Sequence, residues 1–149
     1  MGLATIIDAV SAVLPFRAET LIGEENLSAA GAPPRIVWVP SNDSFSPASE
    51  RGRPEQRSLA TRRVGVDVHL WGADLAAAEA MIDGFVWALR QVVGANYELL
   101  GGSWKGQSVT AKGRAYILGI AMHVPVVEPK LDRVTITAVP QDVAFVWPQ

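Results

Sequence analysis

The chain has 149 residues, of which 49% are hydrophobic and 19% charged, with 13 Lys plus Arg against 15 Asp plus Glu and no Cys. At this length about two thirds of the unfolded surface can be buried, enough for one core and one domain over 1–149. The composition excludes a disordered tail, a collagen-like rod and a disulfide-stapled mini-protein; the lack of Cys excludes a thiolate metal site or thiol nucleophile, and the near-neutral charge argues against a general nucleic-acid binder.

Leu3, Ile6, Ile7, Val10, Val13 and Leu14 recur at helical spacing, with Asp8 and Ser11 opposite, and Pro15 closes this helix. Asp8 and the missing basic n-region favour an amphipathic helix over a signal peptide. Ile6 stands where a myristoylation signal needs Ser or Thr. Residues 18–34 read as irregular, punctuated by Gly23, Gly31 and Pro33-Pro34. Arg35–Val39, RIVWV, predicts a short strand ended by Pro40. The stretch 41–60, SNDSFSPASERGRPEQRSLA, is polar and lacks apolar periodicity, which predicts a long functional loop.

Arg62–Trp71, RRVGVDVHLW, alternates with period two and predicts a strand that Gly72 ends. Asp74 is a fitting N-cap for the next helix, whose expected apolar stripe is Leu75, Ala78, Ile82, Phe85, Val86, Leu89, Val92 and Val93. Arg90 lies in its last turn and Gly94 stops it. Tyr97–Leu100, a Gly101-Gly102 turn and Ser103–Val109 suggest a strand or hairpin. In Arg114–Val127 the residues Tyr116, Leu118, Ile120, Met122, Val124 and Val126 make a bulky face, with Gly119 and Ala121 on the other. His123 and Pro125 interrupt this run, which is far short of ~18 clean apolar residues, so no membrane association is expected. Arg133–Val139, RVTITAV, predicts another strand, prolonged by Val143–Trp147 past a bulge at Pro140. Two amphipathic helices and these strands define an α+β class. The expected architecture is two-layer, a mostly antiparallel sheet of about four or five strands with one long helix packed across it and an N-terminal helix.

Catalytic patterns are sparse. Asp67 and His69 share one strand face, and a carboxylate beside an imidazole is what a general base needs, but no nucleophile motif accompanies them. A solvated strand face or a subunit contact is the simpler reading. His123 reads as a hydrogen-bonded structural histidine. No metal-ligand spacing, phosphate loop or nucleophile elbow is present, so no metal, cofactor or catalytic residue is expected. Arg51, Arg53, Arg57, Arg62 and Arg63 cluster against Glu50 and Glu55, with only Phe45 for stacking. A solvated loop tip or an acidic partner fits that pattern better than nucleic acid.

The five Trp are the stronger signal. Trp38 and Trp71 lie by strand ends, Trp87 is off the centre of the helix stripe, Trp104 follows a Gly-Gly pair and Trp147 is near the C-terminus. Trp is favoured in cores and at interface centres, and at least two of the five are expected to meet another chain.

The order of these elements resembles the tail-terminator (tail-completion) proteins of long-tailed bacteriophages. It runs from an N-terminal helix through RIVWVP, a long polar loop, RRVGVDVHLWG and the helix LAAAEAMIDGFVWALRQVVG to strands ending ITAVPQDVAFV. The VDVHLWG strand followed directly by a long helix is the most telling part, and the resemblance covers most of the chain apart from the loop at 41–60. It implies a homo-oligomeric ring, typically of six copies, at the head-proximal end of the tail. Such a ring ends polymerisation of the major tail tube protein and offers a surface to a neck or head-completion protein. Genomic DNA passes through it without sequence-specific binding. The resemblance implies a virion location at the head–tail junction, with the host cytoplasm as the place of assembly, and no catalytic residues. A ring needs heterologous contacts, which exposed strand edges can supply, and Pro40, Pro125, Pro140 and the Arg62-Arg63 pair read as devices that blunt such edges. The candidate subunit-interface residues are Trp38, Arg62, Arg63, Trp71, Trp104 and Trp147. The alternatives are another phage neck or head-completion protein, a small α+β enzyme or ligand-binding domain using Asp67 and His69, and a DNA-binding module using the arginines.

Overall fold

The computed structural model describes residues 2–27, 32–47, 58–105 and 113–129. In chain order the elements are α1 (Leu3–Val13), β1 (Glu19–Ile22), a 3-10 turn at Glu24–Asn26, β2 (Arg35–Pro47), β3 (Ser58–Gly72), α2 (Leu75–Val93), β4 (Tyr97–Trp104) and β5 (Arg114–Val127). The five strands form one sheet in the order β1-β2-β3-β5-β4. Only the β1–β2 pair is parallel. The fold is therefore α+β, with both helices on one face of a mostly antiparallel sheet. The strands expected at Arg133–Val139 and Val143–Trp147, with Pro140, lie outside the described residues.

Alternation builds the core. Val64, Val66, Val68 and Leu70 of β3 point to the helices, as do Ile36 and Trp38 of β2 and Leu118, Ile120, Met122 and Val124 of β5. From the helices come Ile6, Ile7, Val10, Met81, Phe85, Ala88 and Leu89. The Asp74 side chain accepts a hydrogen bond from the Ala77 amide at 2.8 Å, the expected N-cap. The Gly94 amide donates to the Arg90 carbonyl at 2.9 Å and closes the helix. The stripe of α2 is turned from the expected one. Met81 and Ala88 are buried, whereas Leu75 is exposed and Ile82, Val86, Val92 and Val93 flank the core.

Three expectations need correction. Residues 18–34 are not wholly irregular, because Glu19–Ile22 pairs with Arg35–Trp38 as β1. The buried Arg35 is held by Glu19 opposite, at 3.5 Å, and by the Trp71 ring, 5.6 Å from the guanidinium carbon. Pro40 does not end its strand. Pro40 pairs with Val66 and Asp43 with Val64, so Ser41 and Asn42 together oppose Gly65 in a bulge. A Cβ on Gly65 would stand 2.6 Å from the Asn42 carbonyl oxygen, so the bulge depends on glycine there. The expected loop at 41–60 is thus strand through Pro47 and again from Ser58. Gly101-Gly102 is no turn either. β4 runs through both glycines with a register shift after Leu99, and the Tyr116 ring covers Gly102 where a Cβ would be.

Candidate interaction surfaces

Element lengths decide what the helices cover. α2 starts two residues after β3 ends and runs back across the sheet. Its 19 residues rise ~28 Å, whereas the 15 residues of β3 span ~50 Å, so among the described residues ~20 Å of strand has no helix behind it. The overhang is a three-stranded arm made of residues 43–47, 58–63 and 123–127. On β2 every residue from Pro40 to Pro47 is exposed.

The arm keeps the alternation of the core. Phe45 pairs with Arg62, Pro47 with Ala60 and Ala60 with Val126, all in register with the helix-side face of β3. Phe45 is 64% exposed. Leu59 and Val127 are exposed elsewhere on the arm. Arg62 binds Asp43 through Nε at 2.7 Å and Nη2 at 2.6 Å on the same carboxylate oxygen. The arm's outer edges are blunted. The Trp38 carbonyl accepts from Gly23 on the β1 side, and the His123 amide donates to Asn96 on the β4 side. Two residues further along each strand, Pro40 and Pro125 face those same sides and offer no N–H to a new strand.

A second surface is the β4 edge. Among the described residues β4 pairs only with β5, and Leu99, Leu100 and Trp104 are exposed on it. Trp104 meets Tyr116 edge to face at 4.9 Å and 69°, yet stays 40% exposed. A third surface is the outer side of α2, where Ala76, Ala80, Asp83 and Trp87 form an exposed ridge at helical spacing. Trp87 is 51% exposed.

The residues singled out from the sequence fall in different places. Trp38 is a core residue, 1% exposed, with its ring against Phe85, so it is not an interface residue. Its ring reaches α2 at Phe85, which the sequence position near an expected strand end did not reveal. Trp71 is half-buried beneath Arg35. Arg63 donates through Nε to Glu98 Oε2 at 3.0 Å, and His123 Nε2 lies 3.2 Å from the same oxygen. These groups tie β3, β5 and β4 together on the helix-free face. Trp104 remains a surface candidate. Trp147, Arg51, Arg53 and Arg57 lie outside the described residues.

Asp67 and His69 do share the helix-free face, but no hydrogen bond joins them. Burial and the nearby Lys105 hold the His69 pKa below its usual value, with Asp67 opposing in part. Among the described residues no three metal-ligating side chains come together, and no helix is long and apolar enough to cross a membrane. An open groove lies between the end of α1 and β1, lined by Leu14, Phe16, Arg17, Glu19 and Thr20. Phe45, Leu59, Leu99 and Leu100 were not anticipated as surface residues. The available signal was that both RRVGVDVHLW and the 114–127 run are longer than one helix can cover.

No protein-family model matches this chain, and no curated protein matches it.

Proposed function

We propose that this chain is a structural subunit of a phage tail terminator, a ring at the head-proximal end of the tail that ends tube growth and joins the tail to the neck. The observation that carries the reading is the placing of exposed apolar side chains. Most of them lie on three separate surfaces of one small domain: Phe45, Leu59 and Val127 on the arm, Leu99, Leu100 and Trp104 on the β4 edge, and Trp87 on α2, with Val13, Ile22 and Leu75 elsewhere. A subunit in a closed ring meets two neighbours through two different patches, and an axial partner through a third. Large exposed aromatic and aliphatic groups are what the centres of such contacts use. The order of elements described above supplies the phage assignment.

The ring is expected to hold six copies, to stack on the major tail tube protein and to face a neck or head-completion protein, with the genome threading it. Deleting the gene from its phage tests this. The expected outcome is full capsids together with tails of uncontrolled length, or tails that never join. Normal tails on the knock-out particles would sink the reading.

A further inference from the structure

We draw no further inference here: the strongest candidate, the exposed helix-side face of the three-stranded arm around Phe45, carries nothing, because its Arg62 is paired with Asp43 and nothing in the structure shows what covers it.

Discussion

The Trp38 indole meets the Phe85 ring edge to face, with centroids 5.1 Å apart and planes at 60°. This contact joins the sheet to α2 at the centre of the core, and both rings are buried. Edge-to-face pairs add to area burial because the positive ring edge meets the negative ring face. Among the described residues the buried indole Nε1 has no hydrogen-bond partner, so the Trp38 side chain is held there by packing.

Replacing Phe85 with Ala removes the ring and leaves a cavity beneath Trp38. A loss of about 3–5 kcal/mol is expected from transfer and cavity terms together. Urea unfolding measures it. A red shift and quenching of tryptophan emission in the folded variant are expected, since water gains access to the indole.

The bulge gives a sharper test of the arm. A side chain on Gly65 would press on the Asn42 backbone, which cannot swing away as a flexible side chain could. Gly65→Val is expected to cost about 1–3 kcal/mol, as overpacking does. The damage should be local to the β2–β3 pairing past Pro40. Hydrogen exchange is expected to speed up at Asp43 to Ser46 and Ser58 to Val64 while the amides of α2 stay protected. Unchanged protection in the arm would count against this account of the bulge.

Much of the fold is legible in the sequence, because the signals there are local. Period-two alternation in RRVGVDVHLW, the Asp74 cap and the Gly94 stop each act within a few residues, and each appears where expected. What is not legible depends on distant partners. The run SNDSFSP has the composition of a turn, and it becomes a strand only because β3 continues opposite it. Glu19–Ile22 carries little pattern and is a strand only through Arg35–Trp38. The same limit applies to the interaction surfaces. Trp38 and Trp87 look alike as sequence signals, and the tertiary packing buries one and leaves the other half-exposed.

The helix cap predicts a smaller effect. The Asp74 carboxylate satisfies the Ala77 amide at the start of α2, immediately after β3 ends. Asp74→Ala is expected to cost about 1 kcal/mol, and Asp74→Asn or Asp74→Ser much less. Thermal unfolding of the three variants ranks them. Equal losses in all three would mean that the hydrogen bond is not what Asp74 contributes.

Acid should weaken the domain in two stages, for two separate reasons. His69 resists its proton in the folded state, mainly through burial and then through Lys105, so its folded pKa lies below the ordinary 6.5. Unfolded chains bind that proton first. Stability is therefore complete above pH 6.5 and declines as the pH drops below it toward the folded value. Glu98 behaves as a carboxylate held ionised. The hydrogen bond from Arg63 is the main cause, aided by His123, and it sets the folded pKa below the ordinary 4.5. Its contribution is present above pH 4.5 and is lost as the pH falls through the folded value. Urea midpoints measured from pH 8 to pH 3.5 should decline in both ranges. His69→Gln is expected to flatten the first decline and leave the second, and Glu98→Gln to do the reverse. Because Glu98 ties β4 to β3 and β5, the second stage should also loosen the β4 edge, seen as faster exchange at Glu98 to Leu100 before global unfolding. A first decline that persists unchanged in His69→Gln would place its origin elsewhere in the fold.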